Sequence, residues 1–331
     1  MKTILVTGGG GFVGSNLVAA LVARGTHHVV VCDSFGHDEK WRNLAKHSVY
    51  EIIPPEQLFD WLEFNRSQVE LIYHLGSISS TVEKNIDDVL KSNFSLSVKL
   101  WRWCGVRGVR LIYASAAATY GDGSKGFDDN SDINYMQSLV PMSGYGWSKH
   151  LFDMHVLRSF ERGEVAIPQW VGLKFFNIYG PNEYHKGDQE SVITKVAQHA
   201  MQAGTVKLFR SYNPKYADGD QQRDVIYVKD VVKVLLWFLD YSRVNGLYNL
   251  GSGVPSTFNQ MAKAIFAAIG TSPRINYSDM PEDLVPKYQY FTQANMSKLT
   301  AAGYSQPFTP LEDGIRDYVQ HYLMNKLDPY L

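Results

Sequence analysis

Tyr145 and Lys149, in the stretch Tyr145-Gly-Trp-Ser-Lys149, are the residues whose type and spacing most directly suggest chemistry. Four positions apart on a helix, they share one face and lie one turn from each other. An ammonium held beside a phenol favours the phenolate, so a group that ordinarily ionises near pH ~10 can act as a base closer to neutrality. Such a pair suits removal of a proton from a sugar or alcohol hydroxyl. Both residue types are common, so the remainder of the chain must give the pattern its meaning.

The elements that would position this pair begin at the N-terminus. Lys2-Thr-Ile-Leu-Val-Thr7 is a short β-branched run of strand type, Gly8 to Gly14 is glycine-rich, and Ser15-Asn-Leu-Val-Ala-Ala-Leu-Val-Ala23 has a helical pattern. In a strand, glycine turn and helix, Gly8 allows the tight turn, Gly11 lets backbone N–H groups approach a pyrophosphate, and Gly14 lets helix and strand pack closely. A second strand, His28-Val-Val-Val-Cys32, ends in Asp33, about 20 residues on, where a carboxylate accepts hydrogen bonds from the ribose hydroxyls of a dinucleotide.

Further strand-like runs at Glu51–Ile53, Leu71–Tyr73, Leu111–Ser115 and Val171–Phe176 alternate with helical patterns near Gln57–Asn65, Asp88–Trp103 and Tyr145–Glu161. Alternation of this kind predicts an α/β fold, a doubly wound parallel sheet of Rossmann type with helices on both faces. After residue 176 come a polar loop, 182–190, a helix near 191–202 and a Tyr/Asp/Asn/Gly-rich stretch, 211–222. The expectation is a dinucleotide-binding domain of 1–176 and 225–251, and a smaller mixed α/β substrate-binding domain of 177–224 and 252–331.

Bulk composition removes several function classes. Lys and Arg number 32 against 33 Asp and Glu, which leaves no nucleic-acid or anionic-membrane footprint. The two cysteines, Cys32 and Cys104, form no Cys-x-x-Cys pair, which excludes a disulfide framework and a cysteine-based zinc site and fits a reducing cytoplasm. The ten histidines show no metal-ligand spacing, so no metal is expected. No apolar run reaches the length of a signal-peptide core or a membrane span, and a cytoplasmic location is expected.

With these residues assembled, the chain resembles the extended short-chain dehydrogenase/reductase family, whose members act on nucleotide sugars. The resemblance rests on Thr7–Gly14, Asp33, His74-Leu-Gly76, Ala114-Ser-Ala-Ala-Ala-Thr-Tyr-Gly121, Tyr145–Lys149, Asn177–Pro181 and Arg223-Asp224. His185-Lys186-Gly187, Lys207-Leu-Phe209, Tyr288-Gln-Tyr-Phe-Thr-Gln-Ala294 and Ala301-Ala-Gly-Tyr304 make it most similar to the branch that inverts C6 of an ADP-linked heptose. The resemblance implies a tightly bound NADP or NAD, used without net consumption, and a homo-oligomer. It implies Tyr145, Lys149 and Lys186 as catalytic residues, with Lys186 a second acid/base opposite Tyr145.

Around the cofactor the resemblance places Gly8, Gly11, Phe12, Val13, Gly14, Asp33, Ser34, Lys40, Leu75, Gly76, Ser77, Asn93 and Ile178, together with Lys149 and Lys186. Around a nucleotide-diphosphate sugar it places Ser115, Asn177, Asp188, Lys195, Phe209, Arg223 and Tyr288. Asp33 favours NAD because a carboxylate repels a 2′-phosphate. Lys40 matches a phosphate-side lysine of the family, while Pro54-Pro55 stands near the place of a second.

The chain also departs from the family. Where a serine usually polarises the reacting oxygen, this chain has Ala116, and Ser115 one position earlier points to the opposite face of a strand. Thr119 or an ordered water is left to donate, and the loss of one such donor costs about 10²–10³ in rate. Asp188 stands where a small residue is usual, Lys195 replaces a histidine, and Arg210 follows Phe209 in place of an acid. The alternatives are another nucleotide-sugar 4-epimerase or dehydrogenase, or a catalytically weakened nucleotide-sugar-binding homologue.

Overall fold

The structure, a computed structural model, describes residues 1–331 apart from 38, 283, 286, 287 and 326. Its strands are β1 (Thr3–Thr7), β2 (His28–Cys32), β3 (Glu51–Ile53), β4 (Val69–His74), β5 (Arg110–Ala116), β6 (Trp170–Phe175), β7 (Asn177–Tyr179), β8 (Val206–Phe209), β9 (Gln222–Tyr227), β10 (Gly246–Leu250), β11 (Pro255–Thr257) and β12 (Ile275–Ser278). Its helices are α1 (Phe12–Arg24), α2 (Leu58–Phe64), α3 (Ile86–Leu90), α4 (Leu96–Arg107), α5 (Ile133–Ser138), α6 (Gly144–Glu161), α7 (Val192–Ala203), α8 (Val228–Asp240), α9 (Phe258–Ile269), α10 (Ser297–Ala301) and α11 (Leu311–Tyr318).

Seven strands form one parallel sheet in the order β10-β6-β5-β4-β1-β2-β3. A parallel sheet covered on both faces needs apolar residues pointing both ways, and β1 supplies them. Leu5 joins the core under α2, α4 and α6, while Ile4 and Val6 join the core under α1 and α8. The doubly wound architecture read from the sequence is the one observed.

A smaller sheet, β11-β9-β7, and a two-stranded pair, β12-β8, pack with α7, α9 and α11 around a separate apolar cluster. β9 lies wholly in this smaller sheet, parallel to β7 and antiparallel to β11. The expected boundary at 224/225 therefore falls inside a strand. The chain returns to the large sheet only with α8 and β10. The pairing of β8 with β12 joins segments about 70 residues apart, a long-range choice that no local periodicity announces.

The helix expected over Asp88–Trp103 is interrupted by a wider π-type turn at Lys91–Ser95 between α3 and α4. Ser97 Oγ donates to the Asn93 carbonyl at 2.6 Å, a side-chain bond that competes with the helical ladder and favours such a bulge. Cys32 and Cys104 are buried and unpaired. Among the described residues, no helix is long and apolar enough to cross a membrane.

Candidate functional site

β1 delivers the chain to the glycine turn at the carboxyl edge of the sheet. Gly8 sits at φ +69°, and a Cβ there would meet the Gly76 backbone at 2.5 Å, so the turn closes directly onto the segment after β4. A Cβ at Gly14 would fall 2.1 Å from the Gly8 carbonyl oxygen, so only glycine lets α1 start against the strand. No side chain caps α1 at Gly11. The first N–H groups of this helix, at Phe12 and Val13, thus have the polarity and openness that suit a diphosphate.

Asp33, at the end of β2, accepts the Gly10 N–H at 2.8 Å and the Ser34 N–H at 2.8 Å. Lys40 Nζ lies 2.7 Å from Asp33 Oδ1 and also donates to the Ser34 carbonyl. The structure brings together Asp33, Ser34 and Lys40, three positions singled out from the sequence. Leu75 and Gly76 hydrogen-bond Thr7 and abut Gly8, and Ser77 follows half-buried. Asn93 behaves differently: it exchanges hydrogen bonds with Ile78 and donates to Ser148 Oγ at 3.1 Å. Both of its amide protons are spent inside the protein, so Asn93 braces the loop after β4 and its amide N–H groups do not reach a ligand.

Ser143 caps α6 through the Gly146 N–H. Tyr145 is half-buried at the first turn of this helix, and Lys149 is buried one turn on. Lys149 Nζ donates to the Ala114 carbonyl at 2.9 Å and lies 6.0 Å from the centre of the Tyr145 ring. Burial, followed by the charge of Asp153, pushes the Tyr145 phenol up to about 12. Burial pulls Lys149 down to about 8, against the opposing pull of Asp153. Burial thus opposes the phenolate that an ammonium beside Tyr145 would favour.

The end of β5 settles what surrounds Ala116. Ser115 is 1% exposed and donates to Asp153 Oδ2 at 2.7 Å. Thr119 is 0% exposed and donates to the Ala116 carbonyl while accepting from Lys174 Nζ. The placement of Ser115 on the substrate side is therefore corrected, because its hydroxyl is turned into the interior. Thr119 does not replace the missing serine either.

Lys186 lies on the short turn Tyr184–Gln189, half-buried, with Nζ 5.4 Å from the centre of the Phe12 ring at the start of α1. Burial lowers its pKa, the charges of Glu183 and Glu190 raise it, and Lys195 lowers it. Buried Glu183 anchors the turn by accepting from Gly180, Ser191 and Thr194. Asp188 is exposed, and Lys195 folds back onto its carbonyl at 2.5 Å. Lys195 thus closes the turn, and its ammonium is already engaged there.

The remaining sequence candidates gather at the smaller sheet. Arg223, on β9, holds its guanidinium 5.2 Å from the Tyr288 ring and 5.8 Å from the Phe258 ring, a cation between two aromatic faces. Phe209, at the end of β8, meets Tyr288 edge-on at 6.4 Å. Tyr290 packs on Tyr288 and stacks on Tyr216, extending the cluster. Asn177 is exposed and donates to the Asp224 carbonyl, while Ile178 beside it is half-buried in the apolar core. Phe258 escaped the sequence reading, and Tyr216 and Tyr290 entered it only as members of longer stretches.

Among the described residues, no group of three or more His, Cys, Asp or Glu side chains is placed to hold a metal ion. The site is thus a backbone cradle for an anion, a carboxylate–lysine pair beside it, two partly buried proton-carrying groups and an aromatic-flanked arginine.

Known proteins resemble this chain over nearly its whole length. A relative from Nitratidesulfovibrio vulgaris, named ADP-L-glycero-D-manno-heptose-6-epimerase, is 44% identical over 329 residues, covering 99% of each chain. One of the same name from Fusobacterium nucleatum is 38% identical over 336 residues, covering 99% of this chain and 100% of the other. The crystal structure of the Helicobacter pylori ADP-L-glycero-D-manno-heptose-6-epimerase superposes with a TM-score of 0.78 at 27% identity, covering 97% of this chain and 96% of that one. Residues 4–251 match the description of one family throughout the large sheet, so the chain belongs to the NAD dependent epimerase/dehydratase family.

Proposed function

We propose that this protein inverts C6 of an ADP-linked heptose, using a dinucleotide held on the glycine turn. The observation that carries the reading is Lys186 at the start of the helix that follows the glycine turn, with the Tyr145–Lys149 pair on a helix tied to the loop after β4. Lys186 reaches Phe12 at the start of α1. The helix that carries Tyr145 is tied to the loop after β4: the Tyr145 carbonyl accepts from Ser148, Ser148 accepts from Asn93, and Asn93 holds Ile78, two residues beyond the Gly76 that abuts Gly8. Full-length relatives that carry the heptose-epimerase name support the choice of substrate.

A bound nicotinamide would supply a hydride acceptor and donor and, when oxidised, a positive charge. The chain's residues supply the rest. Gly8, Gly11, Phe12, Val13 and Gly14 would hold the diphosphate, while Asp33, Ser34 and Lys40 would meet the adenosine ribose. Lys40 beside Asp33 is compatible with NADP, and the carboxylate with NAD. Tyr145 would take and return the proton at the C6 oxygen. C6 lies outside the sugar ring, so rotation about C5–C6 presents the other face of the oxidised carbon, where Lys186 would serve as the second acid/base. Arg223 would grip the substrate diphosphate with its planar fork, flanked by Tyr288 and Phe258.

NMR of ADP-D-glycero-heptose incubated with the purified protein tests the reading. Inversion at C6 without net cofactor reduction is expected, and Tyr145→Phe and Lys186→Met are each expected to slow it by about 10²–10⁴. An oxidised product, or a change at C4 of a hexose instead, would refute it.

A weakened homologue is the second reading, favoured by Ala116 because the hydroxyls of Ser115 and Thr119 are committed elsewhere. Ala116→Ser is expected to raise turnover by about 10²–10³. An unchanged rate would show that the slot is unimportant in this chain.

A further inference from the structure

Behind the Tyr145–Lys149 face lies an ion pair that the proposed chemistry does not use. Lys174, on β6, and Asp153, on α6, are each 0% exposed, with Nζ and Oδ2 2.8 Å apart. Asp153 stands one turn beyond Lys149 and two beyond Tyr145, on the same side of the helix. A buried ion pair adds little stability compared with apolar residues of similar volume, so packing alone gives it no reason to be there.

Its bonds reach the end of β5 residue by residue. Asp153 accepts from Tyr113 OH at 3.1 Å and from Ser115 Oγ at 2.7 Å. Lys174 donates to Thr119 Oγ1 at 2.8 Å, and Thr119 donates to the Ala116 carbonyl at 2.8 Å. Lys149 itself holds the Ala114 carbonyl. Four consecutive positions, 113 to 116, are thus tied either to α6 or to the turn that Lys174 fixes.

We infer that Lys174 and Asp153 are positioning residues of the acid–base site, locking α6 to the end of β5 and setting the electrostatic field in which Tyr145 and Lys149 exchange protons. The inference rests on the reading of those two residues as the acid–base pair. The charge of Asp153 acts on both of them, and Lys174 pairs with its carboxylate at 2.8 Å. The other ionisable groups around the pair include His74 on β4, Tyr113 on β5, Tyr120 in the turn after β5, His150 on α6 and, acting on Lys174, Lys298 on α10. Burial holds the two histidines and two tyrosines neutral near pH 7, with His74 down at about 3. Asp153 is therefore the charge that acts on both Tyr145 and Lys149.

The test reads the titration of Lys149 directly, by NMR of ¹³Cε-labelled lysine in the intact protein, with Lys149→Arg identifying its resonance. In the unmodified protein a midpoint near 8 is expected. Asp153→Asn removes the nearer anion and is expected to move it down by about one pH unit, whereas Lys174→Met leaves the anion unbalanced and moves it up. Lys174→Arg keeps the pair and leaves the midpoint in place. If a single variant fails to fold, the Asp153→Asn/Lys174→Gln double variant keeps hydrogen-bonding groups without charge, and its midpoint falls because Asp153 is the closer group.

Shifts of the same sign in both single variants, no shift in either, or no fall in the double variant would overturn the inference. The readout needs no substrate, so failure to turn over ADP-heptose would refute the proposed function and leave this result standing.

Discussion

The glycine turn and the Arg223 cluster belong to the same candidate site but are specified by different means. At the glycine turn the contacts are made by backbone within short stretches after β1, β2 and β4, and the tolerances are set by absent side chains: a Cβ at Gly14 has 2.1 Å of room. At Arg223 the contacts are made by side chains from β9, α9 and the segment around Tyr288, with 5.2 and 5.8 Å between cation and ring centres. A backbone cradle tolerates almost no change in residue type but fits any diphosphate. A side-chain cluster is softer and can be retuned for one sugar nucleotide without disturbing the sheet.

Substitutions can break this contrast, and the largest effect is expected at the turn. Gly14→Val forces a branched side chain into the Gly8 carbonyl, which should lower stability by about 1–3 kcal/mol or more and abolish dinucleotide binding. Denaturant unfolding and cofactor titration read the two effects; unaltered cofactor affinity would show that the turn is not the cradle. Arg223→Met should raise KM for the nucleotide sugar by roughly 10–100-fold, the worth of a hydrogen bond to a charged group at ~1.5–3 kcal/mol, while dinucleotide affinity holds. Equal losses of both affinities would erase the distinction between the two regions.

The smallest effect is expected at Lys40, whose ammonium already pairs with Asp33 at 2.7 Å. Lys40→Ala should weaken NADP by up to about tenfold and leave NAD nearly unchanged, as measured by parallel titrations. Equal weakening of both would assign Lys40 to holding the Asp33 turn instead of reading a phosphate.

The sequence made the large sheet legible because its signals are local. The β-branched runs, the glycines and the Tyr145–Lys149 spacing each lie within a few residues, and the strands they mark pair side by side in parallel. The smaller sheet was less legible. β8 and β12 are four residues each and find each other across α9, and β9 falls across the boundary that its neighbours' composition suggested. The helix over 88–103 read as continuous because periodicity does not register Ser97 bonding back to the Asn93 carbonyl.

By itself, the sequence determined that a strand, a glycine turn and a helix would present backbone N–H groups at the edge of a parallel sheet, with a tyrosine and a lysine on one helical face nearby. Those outcomes follow from steric limits and from a period of 3.6, which act between near neighbours. Tertiary structure alone decided the state of that pair and what stands behind it. Burial pushes the Tyr145 phenol up, Asp153 and Lys174 meet only because α6 packs across β5 and β6, and the hydroxyls nearest Ala116 turn inward to serve them. Desolvation and charge depend on what packs around a group, and that is fixed only when distant segments close upon one another.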